Sequence, residues 1–385
     1  MGPVNAYHSD AKARMMSLAG AVVLVIGMGY GRFAFTGILP LMIQEHLLTL
    51  SQGNLAAAAN YAGYLAGALL LAKARPGDAR LLCYFAVITT LLCVFALAIS
   101  HSGMQVIIVR GIAGLVSAVS LIAASLWLLQ HHKHSGGAPL LYAGVGVGIF
   151  LSAEVIAVAK YLQLASPTIW IICGFSAAIL FLLVLRWLNL PADTLRFAAG
   201  PSTSQADSRP QTRSAAYRLL LIYGLSGFGY IITATYLPLF LSGSTVDPIQ
   251  VWALFGLAAI PSCFIWHKWL AVKGSRHALI ANLLVQAAGV VLPAFSHSLL
   301  VCLISALLTG FTFMGTVTIA LPEARRLAHL VSFNMIAAMT ALYGVGQIAG
   351  PLVAGHLYQI TGSFSPSLFS AAAALLVAAL LAVIR

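Results

Sequence analysis

The chain is 385 residues long, 61% hydrophobic and only 7% charged, a composition no water-soluble domain of this size shows. Its formal net charge of +12 comes from basic residues dispersed over loops and both tails. That dispersal argues against nucleic acid as a partner and assigns the charge to membrane topology and anionic lipid headgroups. The apolar residues run in long blocks, so the expected helices are apolar nearly all round. In chain order the blocks cover roughly 16–42, 54–72, 81–99, 103–130, 138–161, 167–189, 217–241, 249–270, 278–296, 299–321, 332–359 and 366–384. Each is close to the ~20 residues that cross a hydrocarbon core. The predicted fold class is an all-α membrane protein of twelve transmembrane helices.

The first block carries a permanent charge: Arg32, within the Gly29–Met42 stretch GYGRFAFTGILPLM. A guanidinium in a membrane helix costs roughly 2.5–3.5 kcal/mol on insertion scales and faces a bundle interior or a watery cavity. The apolar part of this block exceeds a signal-peptide core and no small-x-small site follows, so it is expected to stay as an anchor. The second block contributes Asn60, Tyr61 and Tyr64 as second-rank polar candidates, with Gly63 and Gly67 as close-packing positions. The fourth holds Arg110 and Gly114 and ends in His131, His132 and His134 beside Lys133, a solvated loop by expectation and not a metal site.

The fifth block contains Gly144-Val145-Gly146 and then Glu154. Glu154 is the one acid at membrane depth; Asp10, Glu45, Asp78, Asp193, Asp207, Asp247 and Glu323 all fall in loops or at helix ends. At ~1.5 Å per residue, Glu154 and Arg110 come out at similar depth on consecutive helices. Two readings stay open for them: a proton-coupling carboxyl beside a guanidinium, or a fixed structural ion pair.

Residues 190–216 change character, with Pro191, Gly200, Pro201 and Pro210 among Ser, Thr and Arg. They read as a polar cytoplasmic linker between an N-terminal six-helix half, 1–189, and a C-terminal six-helix half, 217–385. A repeat supports that division. The first-helix pattern returns 198 residues later as Gly227-Phe228-Gly229-Tyr230 with Leu237-Pro238-Leu239, five identities in sixteen positions, and Tyr230 stands where the first half has Arg32. Gly144-Val145-Gly146 likewise returns as Gly344-Val345-Gly346, followed by Gln347 and by Gly350-Pro351. Glycines spaced by four let helices approach, and a proline at membrane depth kinks them. Similar halves are a design of alternating-access carriers.

With the N-terminus inside, 17 of the 20 basic residues fall in cytoplasmic segments and Lys160 alone falls outside, which places both termini in the cytoplasm. Cys83, Cys93, Cys173, Cys263 and Cys302 lie within predicted helices and read as small packing residues. Glu323 is expected to pair with Arg326, one turn along its helix.

Twelve helices, a long loop after the sixth and the GxxxGP pattern around Gly346-Pro351 resemble the major facilitator superfamily across the whole chain. GYGRFAFTGILPLM resembles the signature of its YbfB/YjiJ-type branch, with Thr36-Gly37 where that branch reads Thr-Pro. Arg110-Gly111-Ile112-Ala113-Gly114 resembles the RxxxG motif of proton-coupled members. In the loop after the second helix the pattern's Asp is replaced by Leu71. The resemblance implies a bacterial inner-membrane carrier, a monomer, whose first, fourth, seventh and tenth helices line a central cavity.

On that implication the substrate-binding candidates are Arg32, Arg110, Tyr30, Thr36, Tyr230, Thr233, Tyr236 and Thr312, with Thr316, Asn334 and Gln347 behind them. Glu154 is the proton-coupling candidate, and Gly63, Gly67, Gly114, Gly144, Gly346, Gly350 and Pro351 are gating or packing positions. Two arginines against one glutamate favour a small organic anion, since a planar fork of donors suits a carboxylate or phosphate. The predicted function is a secondary active transporter that is proton-coupled, with efflux favoured over uptake symport. A non-transporting sensor on a carrier scaffold is the alternative. No HExxH, GxSxG or P-loop pattern is present, so neither enzyme activity nor a cofactor, ATP or metal is expected.

Overall fold

The computed structural model describes residues 3–190, 212–240 and 247–384, and among them helices and short connecting turns are the only secondary structure. Helix α1 runs through three stretches, Pro3–Leu24, Val25–Phe33 and Ala34–Gln44. It is followed by α2 (Leu50–Leu70), α3 (Ala79–Ala98) and α4 (Gly103–Ser125, prolonged by Leu126–His131). Next come α5 (Ala138–Tyr161), α6 (Ser166–Leu188) and α7 (Arg213–Phe240). The remainder are α8 (Pro248–Phe295), α9 (Leu299–Leu327), α10 (Met335–Thr361) and α11 (Ser365–Val383).

Helix starts are set by local chemistry that apolarity alone does not show. Thr49 and Gln52 form a capping box, so α2 begins four residues before its apolar block. Ser102 and Gln105 do the same for α4. Thr212 accepts from the Ala215 amide, which starts α7 at Arg213 inside the predicted linker; 191–211 lie outside the described residues.

Among the described residues eleven helices are long and apolar enough to cross a membrane, where twelve are expected. The difference lies in α8, a 48-residue stretch in which two helices, covering the predicted 249–270 and 278–296, run on from one another. It breaks at Gly274, whose φ of 79° is a conformation other residues rarely adopt. The break falls in the predicted loop Lys273-Gly274-Ser275-Arg276, which is thus reduced to a kink with an arm on either side.

The bundle carries large apolar side chains on its outside, for example Leu81, Leu92, Phe175, Leu182, Leu352 and Leu380. Its polar groups turn inward. Such an arrangement suits a hydrocarbon solvent. Small residues hold the interior together: a Cβ on Gly63 would lie 1.9 Å from the Gly111 carbonyl oxygen, on Gly67 2.4 Å from that of Leu115, and on Gly114 2.0 Å from that of Asn60. These contacts press α2 onto α4. Gly144 packs α5 on Ala21 of α1 and Gly146 packs it on Gly256 of α8, while Gly344 packs α10 on Leu65 of α2 and Gly346 packs it on Gly224 of α7, so each GVG element sits between two helices. The helices before and after 191–211 meet where α2 packs on α10 and α5 on α8.

Candidate functional site

The site is built on an irregular stretch of α1. Val25–Phe33, VIGMGYGRF, is wound as a π-helix and is buried throughout, a local form found mostly at functional positions. Its glycines let the helix wedge between two neighbours. A Cβ on Gly27 would sit 1.9 Å from Ser120 Oγ of α4, and one on Gly29 would sit 2.4 Å from the backbone of Gly148 on α5. At the end of this stretch the Arg32 side chain enters the bundle, 2% exposed.

Arg32 crosses to the C-terminal half. Its Nη2 donates to Gln347 Oε1 of α10 at 2.5 Å, and Gln347 Nε2 in turn donates to the Tyr230 hydroxyl of α7. The repeat-related positions 32 and 230 thus converge on one carboxamide. The guanidinium lies over the Tyr64 ring, 4.1 Å from its centroid, a cation–π contact of ~2 kcal/mol when desolvated. Arg32 Nε and Nη1 have no hydrogen-bond partner among the described residues.

Arg110 is bound differently. Its Nη1 donates to the Gly31 carbonyl oxygen at 2.9 Å, its guanidinium lies 4.4 Å from the Phe35 centroid, and its own carbonyl accepts from Asn60 Nδ2 at 3.0 Å. It braces the π stretch. Among the described residues no carboxylate forms an ion pair with either arginine.

Next to Gln347 lies a cavity of about 10 Å³, room for roughly one water. Its walls include Met28 and Tyr64 from the N-terminal half and Tyr223, Tyr230, Phe313, Met314, Tyr343 and Gln347 from the C-terminal half. Four of these rings form a column: Phe313 and Tyr230 at 5.3 Å, Tyr230 and Tyr343 at 5.5 Å, both at 20° between planes, and Tyr343 and Tyr223 at 4.8 Å. Arg32 stands one layer behind, with Gln347 between it and the space.

Over residues 24–383 the chain matches the family described as "Uncharacterised MFS-type transporter YbfB". The chain belongs to this family of transporters. The solved structures agree on the fold: the human organic anion transporter MFSD10 (TETRAN) superposes with a TM-score of 0.64 at 15% identity, over 99% of this chain and 100% of that one. No curated protein matches in sequence. This MFS-type transporter is a multi-pass membrane protein built on that carrier fold.

The transporter's structure gathers some of the residues singled out from sequence and disperses others. Tyr230 lines the cavity, as do Tyr64 and Gln347, which ranked second. Tyr30 is turned to Cys173 and Ser176 of α6. Thr36 is half-buried beyond the π stretch, and Tyr236 meets Phe364 at 4.5 Å near a helix end. Thr233 is buried with its hydroxyl unpartnered among the described residues, outside the cavity wall. Thr312 and Thr316 serve α8–α9 packing, since Asn282 Nδ2 donates to the Thr312 carbonyl at 3.1 Å and Thr316 Oγ1 donates to Asn282 Oδ1 at 2.6 Å. Asn334 caps α10. Gly350 packs against Ile231, and Pro351 sits one residue on within α10.

The expected meeting of Arg110 and Glu154 does not occur. α1 lies between α4 and α5, and equal depth on consecutive helices does not make neighbours. Glu154 is half-buried on the stripe of α5 shared with Val158 and Tyr161, which are exposed, and has no ion pair among the described residues. Glu323 does pair with Arg326, at 2.6 Å. His132 is buried against the Trp127 ring, and burial, aided by His131, His134 and Lys12, pushes its pKa down to about 4. No group of three or more metal-ligating side chains is present among the described residues.

Tyr223, Phe313 and Tyr343 were missed. The signal was there: Tyr223 and Tyr230 are seven apart on α7, and Tyr343 and Gln347 four apart on α10, each pair on one helix face.

Proposed function

We propose that this chain is a secondary active transporter that moves a small organic anion by alternating access, twelve spans arranged as two six-helix halves with both termini cytoplasmic. The observation that carries the reading is Arg32. A permanent cation is held in a buried centre with two unused donors and no carboxylate, beside a cavity whose walls come from both halves. Arg110 also keeps an unbonded Nε, but its hydrogen bond goes to the Gly31 backbone carbonyl, which is fixed in the π stretch, whereas that of Arg32 goes to a side-chain amide able to turn away.

The closed centre fits an occluded stage of such a cycle. Ties between the halves lie at both ends. Lys160 Nζ of α5 and Asp247 Oδ2 before α8 pair at 2.5 Å, and at the opposite end Arg325 Nη2 of α9 donates to the Leu129 carbonyl at 3.0 Å. Opening to either side requires one tie to break while the other holds. The alternating rupture of these ties is the gating we assign.

Proton coupling, with efflux as the direction, is the finer part of the proposal. It rests on the resemblance of Arg110–Gly114 to the RxxxG motif and on Glu154 as the one acid that the sequence places at membrane depth rather than at a helix end. Glu154 then works without Arg110, exchanging its proton at the α5 face it shares with Tyr161.

The test is a proteoliposome screen of organic anions under an imposed pH gradient, with Arg32→Ala alongside. Loss of a charge-assisted contact worth about 1.5–3 kcal/mol lowers anion affinity about 10- to 150-fold, while the variant still inserts and runs as a folded species. Arg32→Lys rescues poorly because it lacks the planar fork. Wild-type transport by Arg32→Ala would sink the assignment.

A further inference from the structure

We propose that the ligand of this carrier is a planar aromatic monocarboxylate, and that the Gln347 carboxamide holds its place on Arg32 in the empty protein. The inference rests on the reading of Arg32 as an anion site and adds the ligand class and a competitor.

The number of charges comes from the arginines. No Lys or Arg is among the residues lining the cavity, and Arg32 lies directly behind Gln347. Arg110 is committed to the Gly31 carbonyl and the Phe35 face. One guanidinium matches one negative charge, and a second would enter unpaired at high cost.

The planar head group comes from Gln347. Its carboxamide is close to a carboxylate in size and shape, and its oxygen already sits on Arg32 Nη2. It engages one arm of the fork and leaves Nε and Nη1 unbonded. A carboxylate uses two parallel donors and brings the missing charge, so it displaces the neutral amide. Gln347 keeps its bond to the Tyr230 hydroxyl as it gives way.

The aromatic body comes from the walls. Phe313, Tyr230, Tyr343 and Tyr223 form the column on the C-terminal side, and Tyr64 faces from the N-terminal side with the Arg32 guanidinium on its ring. Met28 and Met314 add polarisable sulfur to the same space. A flat ring gains stacking that a saturated ring of similar size does not. The present volume is too small for such a ligand. Tyr64 belongs to α2 and the column to α7, α9 and α10, so separation of the halves widens the slot.

The experiment measures binding to the purified full-length carrier in nanodiscs by calorimetry, with benzoate, cyclohexanecarboxylate and benzamide as probes. Benzoate is expected to bind about three- to tenfold more tightly than cyclohexanecarboxylate, and benzamide not to bind measurably. Gln347→Ala removes the resident competitor and is expected to tighten benzoate by about tenfold. Gln347→Glu places a permanent anion on Arg32 and abolishes binding. Cyclohexanecarboxylate binding as tightly as benzoate, in an Arg32-dependent way, would overturn the aromatic class and leave the anion reading intact. Weaker benzoate binding by a folded Gln347→Ala variant would overturn the placeholder role. If neither carboxylate bound in an Arg32-dependent way, the anion site itself would fall. The wild-type comparison needs no variant to fold.

Discussion

At the scale of single residues, two buried arginines with the same cost of insertion do different work. Arg110 spends a donor on the Gly31 carbonyl and lies on Phe35, so it stiffens the turn that presents Arg32. Arg32 has one hydrogen bond, to an amide that can leave. Each keeps an unbonded Nε; the difference is the acceptor, a backbone carbonyl fixed in the π stretch for Arg110 and a side-chain amide for Arg32, and only the second can give way to a ligand as proposed. Glu154 belongs to neither. It is half-buried and without an ion-pair partner among the described residues, and on the proposed coupling role Glu154→Gln is expected to exchange substrate at equilibrium yet fail to concentrate it against a gradient. Proteoliposomes energised by a pH step decide the matter: accumulation by the Gln variant removes Glu154 from the coupling scheme.

At the scale of helices, glycine decides which elements can touch. α1 enters between α4 and α5 because Gly27 and Gly29 offer bare backbone to Ser120 and Gly148. Between α2 and α4 the fit at Gly63 is as tight and less forgiving, the absent Cβ falling 1.9 Å from a carbonyl oxygen that belongs to the opposing backbone and cannot swing aside. Gly63→Val is therefore expected to cost about 3 kcal/mol or more by overpacking and to lower the thermal stability of the detergent-solubilised protein sharply. Gly355 on α10 meets nothing within 4 Å, so Gly355→Ala is expected to be neutral or to stabilise by up to about 1 kcal/mol through helix propensity. Equal melting temperatures for the two variants would show that the α2–α4 contact is looser than described.

At the scale of the whole molecule, the distribution of charge and the ties between halves carry the predictions of topology and gating. Seventeen of twenty basic residues share one predicted side, Arg32 and Arg110 lie within helices, and Lys160, expected on the other side, pairs with Asp247. A reporter fused after Arg385 is expected to be active only in its cytoplasmic form; activity confined to the outside would invert the topology and exchange the roles of the two ties. The kink at Gly274 bears on the same prediction: if each arm of α8 crosses the membrane, the C-terminus returns to the side of the N-terminus.

Composition and block length were enough to establish a membrane-embedded helical protein, since a bilayer demands long apolar helices whatever they later pack against. Arg32 and the repeat that opposes it to Tyr230 were also legible, because a charge in an apolar run needs no neighbours to be conspicuous. Adjacency was not. Arg110 and Glu154 share a depth in the chain's own count but are parted by α1. On a helix expected to line the cavity, Thr316 turns its hydroxyl to Asn282 instead and Thr312 turns its own to the Leu308 carbonyl one turn back. Gln347, one amide among several, became central only when Arg32 and Tyr230 reached it from different helices. Periodicity tells which residues share a face of one helix, whereas the partner of that face is set by close packing among helices distant in sequence, and that is decided only when the bundle assembles.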